Sequence, residues 1–166
     1  MWYLLRAWFE ICLLRMAPQQ MPASPWLLGL AVILYLLAGI LVALPGSGWS
    51  MALLLSLLDL GVMVALTALV LRLTGKPARF NQTLSARAGT GALLTLLALP
   101  LVLMQLDPVP AWAGVLWLVL LFWSLTVRGH ILRHALDIPL SMGLLLSAGY
   151  ALVLIWLVRW WLPAPA

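Results

Sequence analysis

The chain has 166 residues, 66% of them hydrophobic and 8% charged, with a net charge of +5. A soluble domain carries roughly 25% charged residues, and a water-soluble fold of this length could not hide so much apolar surface, so the implied solvent is a bilayer. The nine Lys and Arg residues fall between apolar runs and not along one stripe, which argues against nucleic acid as a partner and for membrane topology as the source of the basic excess.

Residues 1–17 are expected to form an interfacial amphipathic helix. Trp2, Tyr3, Trp8 and Phe9 suit the headgroup boundary, Arg6 and Glu10 pair at i,i+4, and Pro18 ends the segment. Arg15 falls on the opposite side of the helical wheel. Acidic and basic residues interrupt the apolar stretch, unlike a signal peptide. Cys12, the one cysteine, forms no internal disulfide and reads as a small packed residue.

Five apolar segments follow, at about residues 26–45, 50–73, 88–106, 111–127 and 139–162. Each is long enough, or nearly so, to cross about 30 Å of hydrocarbon as a helix. The fold class expected is therefore all-α: a polytopic bundle of five transmembrane helices over residues 25–162. Pro45-Gly46-Ser47-Gly48 and Asp107-Pro108-Val109-Pro110 predict tight turns. Pro100 predicts a kink in the third span. Asp137 is placed to cap the fifth helix at Pro139.

The bases define an orientation. Arg6, Arg15, Arg72, Lys76, Arg79, Arg87, Arg128 and Arg133 all fall on one side of a five-span chain. The positive-inside rule then puts the N-terminus in the cytoplasm and the C-terminus outside, with Arg159, Trp156, Trp160 and Trp161 anchoring the outer end. The loop-poor, Leu- and Trp-rich composition points to a bacterial inner membrane.

Asp59 is the most informative residue, because it lies deep in the second span, where a charge costs about 2.5 kcal/mol or more. It must face other helices or water, or stay protonated. Ala52, Ser56, Met63 and Thr67 share its helical face. Tyr35 and Tyr150 lie at similar depth and are the expected hydrogen-bond partners. Asp59, Ser56, Tyr35 and Tyr150 thus form an expected intramembrane polar core. His130, Arg133, His134 and Asp137 are candidates at the cytoplasmic face. The two histidines lie at i,i+4, but a zinc site needs further ligands and no glutamate follows the first histidine, so no metal is assigned. Gly89-Thr90-Gly91 begins the third span and is no dinucleotide fingerprint; Gly91 with Thr95, Gly143 with Ser147 and Tyr150, and Gly61 are expected to let helices approach closely.

Catalysis finds little support. None of the eight serines sits in a G-x-S-x-G elbow, and no paired carboxylates are available for acid–base work. No enzyme activity and no cofactor are expected. The partners implied are membrane lipids, together with other membrane proteins or further copies of the chain. The function expected is a scaffold or accessory subunit acting through helix or lipid contacts. The alternative is a small transporter or channel with Asp59 on its path.

The connector Gly75-Lys76-Pro77-Ala78-Arg79-Phe80-Asn81-Gln82-Thr83-Leu84 resembles the basic Gly-Lys…Phe-x-Gln-Thr-Leu connector of bacterial members of the Yip family, membrane proteins of the Ypt/Rab-interacting type. The resemblance implies five spans and a cytoplasmic N-terminus. It also implies an interfacial motif, Lys76, Arg79, Phe80 and Gln82, with Phe80 and Gln82 on a short turn that docks on the bilayer. It implies a fold more than an activity.

Overall fold

The computed structural model describes residues 2–104 and 110–161. The chain is an all-α membrane protein built from α1 (Trp2–Cys12), α2 (Pro25–Leu73), α3 (Phe80–Leu103), α4 (Ala111–Leu136) and α5 (Leu140–Trp161). Short 3-10 turns at Pro18–Gln20 and Pro77–Arg79 precede α2 and α3. The four helices after α1 are long and apolar enough to cross a membrane.

As one rod, the 49 residues of α2 would extend about 74 Å, more than twice the hydrocarbon thickness. The helix is instead folded on itself at Gly48 (φ 71, ψ 172), a backbone conformation that essentially only glycine adopts. The arms on either side, residues 25–47 and 49–73, are about 35 and 37 Å long. They lie antiparallel: a Cβ added to Gly39 would stand 2.9 Å from the Ser56 Oγ. Four helices therefore supply five apolar arms. The reversal is sharper than a four-residue turn, since Pro45 lies inside the helix and the Ser47 hydroxyl donates to the Ala43 carbonyl at 2.7 Å.

α3 is the hub. Thr83 through Ala92 are all buried, so the first half of this helix is surrounded on every side. The run is rich in Ser, Ala, Thr and Gly, which let neighbouring backbones come close. Both α2 arms, α1 and α4 pack around it. α3 begins at Phe80, two turns before the expected start at residue 88, because Pro77 opens its first turn. α4 runs on past residue 127 to Leu136. The expected turn at Asp107–Pro110 falls largely on residues 105–109, outside those described.

Gly89 and Gly143 explain two close approaches. A Cβ on Gly89 would overlap the Trp8 indole, and one on Gly143 would overlap the Gly129 carbonyl where α4 crosses α5. Trp8, expected at the headgroup boundary, is 1% exposed and buried with Ala7, Ile11 and Cys12. The face of α1 at i, i+1, i+4 and i+5 is thus clamped to the bundle, while Leu5, Phe9 and Leu13 point outward. Gly61, expected to serve as a contact, has open space around it.

Three helices end alike at the base-bearing face. α1, the second arm of α2 and α4 each close with a left-handed residue: Leu14 (φ 61), Gly75 (φ 70) and Asp137 (φ 56). In each, the next N–H reaches back five residues: Arg15 to Glu10 (2.9 Å), Lys76 to Leu71 (2.8 Å) and Ile138 to Arg133 (3.0 Å). This satisfies carbonyls left orphaned at a helix end. Asp137 therefore terminates α4, and its expected role as the cap of α5 is corrected.

Candidate functional site

Asp59 sits mid-way along the second arm of α2. The Tyr35 hydroxyl donates to its Oδ2 and the Tyr150 hydroxyl to its Oδ1. One carboxylate therefore ties together both arms of α2 and α5, where a single tyrosine would have joined only two of them. Tyr35 can lie flat against α3 because Gly91 carries no Cβ. Ser56 does not join this cluster. Its hydroxyl donates to the Ala52 carbonyl of its own helix at 2.8 Å, and its place is against Gly39.

The cluster extends to two arginines that the sequence places among the connector bases. Arg87 is 4% exposed and donates through Nη1 to the Thr67 hydroxyl at 2.6 Å. Its guanidinium carbon stands 4.9 Å from the centroid of the Tyr150 ring, and that of Arg128 stands 5.2 Å away. The ring's negative face offsets part of the cost of keeping these charges out of water. The Arg87 Nε has no hydrogen-bond partner among the described residues. Two grooves approach from the sides. One of about 210 Å³, between the second arm, α4 and α5, reaches Arg87 and Tyr150. The other, of about 230 Å³, lies between α3, α4 and the first arm and reaches Arg128. A start at Pro77, a helix-opening residue, would have put Arg87 nearly three turns inside the bundle. That signal was in the sequence.

The connector residues Lys76, Arg79 and Gln82 are taken up by the protein itself. Lys76 donates to the Leu136 carbonyl and to Asp137 Oδ2. Arg79 donates to the carbonyls of His134 (3.2 Å) and Ala135 (3.0 Å) and to the same carboxylate oxygen (2.9 Å). Two cations thus cover the negative end of the α4 dipole. Gln82 donates to the Met21 carbonyl at 2.8 Å, and half-buried Phe80 packs between the main core and a smaller one around Leu71 and Leu132. A turn docked on the bilayer by Phe80 and Gln82 is therefore corrected to a clasp joining α2, α3 and α4. Arg79→Ala is expected to lower stability by about 1 kcal/mol through the exposed carbonyls, measured by thermal unfolding in detergent.

Hydrogen bonds from Lys76 and Arg79 hold the Asp137 carboxyl below the usual carboxylate range. Its contribution is therefore complete above the unfolded carboxylate value, near pH 4, and is lost as pH falls through the lower folded value. Hydrogen exchange of residues 133–138 is expected to be protected equally at pH 5 and pH 7. Asp137→Asn should reproduce the acid-loosened state at neutral pH.

His130 and His134 meet edge to face, with ring centroids 4.6 Å apart. The His130 Nε2 lies 3.2 Å from the Met16 carbonyl, and Gln19 donates to the His134 carbonyl. The Asp137 carboxylate is bonded to Lys76 and Arg79. Among the described residues no group of three His, Cys, Asp or Glu side chains converges as metal ligands do. His130 and His134 instead share an open cleft with Arg133 and Arg15.

No protein-family model matches the chain, nor does any characterised protein or solved structure.

Proposed function

We propose that the protein is a non-enzymatic scaffold or accessory subunit of a bacterial inner membrane, with a cytoplasmic N-terminus, five spans, and work done through lipid and helix contacts. The observation that carries this is α4. Val115 through Val119 are exposed at five successive positions, so in this stretch every side of the helix is presented outward. An apolar stretch so little covered by its own chain meets acyl chains or the helix of another protein. The internal polar groups point the same way: both oxygens of Asp59 are taken by phenols, a clasp between helices. The likeness to Yip-family connectors remains part of the proposal as a resemblance in fold.

A second reading, a small proton or cation transporter, is favoured by the groove that leads to Tyr150 and Arg87 beside Asp59. Proteoliposomes separate the two. The scaffold reading expects proton and alkali-cation flux at the background of empty vesicles for both wild type and Asp59→Asn. A wild-type flux well above background, abolished in Asp59→Asn, would overturn it in favour of transport.

A further inference from the structure

We propose that the cleft between the end of α1, the 13–21 segment and the last two turns of α4 binds a phosphate-class anion, either the phosphodiester of an anionic lipid headgroup or free inorganic phosphate. The cleft holds about 370 Å³. Arg15 enters from one wall and Arg133 from the other, with His130, His134 and Gln20 between them. None of the nine lining residues is acidic. Asp137, the acid that follows these residues on α4, is already paired with Lys76 and Arg79. Two arginines and two histidines thus line one space with no acidic residue among its lining, and a tetrahedral oxyanion is the ligand to which guanidinium forks are matched.

The walls are fixed in place. Gln19 ties the 13–21 segment to the His134 carbonyl, His130 meets the Met16 carbonyl, and Gln82 holds the Met21 carbonyl. Leu14 adopts a left-handed conformation (φ 61) that glycine would take without strain. That turn reverses the chain after α1 and brings Arg15 over α4. The remaining wall is apolar at Leu14 and Leu140, which suits a headgroup whose acyl chains continue into the bilayer. The site is separate from the Asp59 cluster and shares only the membrane setting with the scaffold reading, so either proposal can fail alone.

The test uses full-length protein in a neutral detergent. Native mass spectrometry counts retained lipid after incubation with dioleoyl phosphatidylglycerol or dioleoyl phosphatidylcholine, and calorimetry measures inorganic phosphate. Wild type is expected to hold one phosphatidylglycerol in preference to phosphatidylcholine, with affinity falling about tenfold or more in Arg133→Gln and in Arg15→Gln. Arg72→Gln, at the far end of the second α2 arm, should bind as wild type, and Arg133→Lys should recover part of the loss. Lipid retention that millimolar phosphate does not displace assigns the site to the headgroup. Phosphate binding with the same loss in both variants assigns it to the free anion. Arg15 lies outside every helix, so Arg15→Gln reports even if Arg133→Gln lowers the unfolding midpoint. Equal retention in wild type and both variants, or binding of neither probe by wild type, would overturn the proposal.

Discussion

Asp59→Ala is expected to lower the stability of the folded bundle by about 2–3 kcal/mol, and Asp59→Asn by about 1 kcal/mol. The Ala variant removes the acceptor of two phenols, Tyr35 and Tyr150, that have come from different helices to meet one carboxylate. Tyr35 is then left without its acceptor, and Tyr150 keeps only the backbone carbonyl of residue 59, 3.3 Å away. Asn keeps one acceptor and adds a donor that a rotated phenol can accept. Tyr35→Phe and Tyr150→Phe should each cost about 1 kcal/mol. Their double mutant should depart from additivity, because both act on the same group. Unfolding by denaturing detergent, followed by circular dichroism, measures all five. An Asp59→Ala variant as stable as wild type would mean that the carboxylate contributes no net clasp.

Gly89→Ala is expected to cost about 2–4 kcal/mol and to release α1 from the bundle. The added methyl would occupy the place of the Trp8 indole, a rigid ring system with no flexible end to swing aside. Among the described side chains of α1, Trp8 is the largest that is buried, so its expulsion removes most of what holds that helix. Hydrogen exchange over residues 4–12 should rise toward that of an undocked helix, and a protease should gain access at Arg15. Gly61→Ala is the matched control: its Cβ meets open space, and the substitution in a helix should be neutral or slightly stabilising. Unchanged protection of α1 in Gly89→Ala would show that Trp8 can be seated elsewhere.

These two sites differ in how visible they were from residue order alone. Asp59, Tyr35 and Tyr150 could be matched by counting a rise of about 1.5 Å per residue along helices whose ends are marked by prolines and bases. The inward face of the second arm follows from its smaller, more polar side chains at helical spacing. Trp8 carries no comparable mark. Tryptophan suits a membrane interface and a packed core equally well, and only the missing side chain at Gly89, 81 positions away in the chain, decides between them. Arg87 was misplaced for a related reason: a basic residue beside an apolar run normally marks a span boundary, and here the helix had already begun.

Composition, apolar run length and the sites of proline and glycine were enough to determine the solvent, the helical class, the five apolar arms and the single acid among them. They suffice because every lipid-facing backbone must satisfy its own hydrogen bonds within the helix, which makes spanning segments a local property. The tertiary structure alone decided that Lys76 and Arg79 cap α4, that Arg87 is buried beside Tyr150, and that Arg15 faces Arg133 across a cleft. Those outcomes depend on pairs separated by up to 115 residues, as in Gln19 with His134. Helical periodicity says which face of a helix is packed, but not which other helix packs there, and long-range pairing among interchangeable apolar rods is settled by the fit of small residues to large ones and of charges to helix ends.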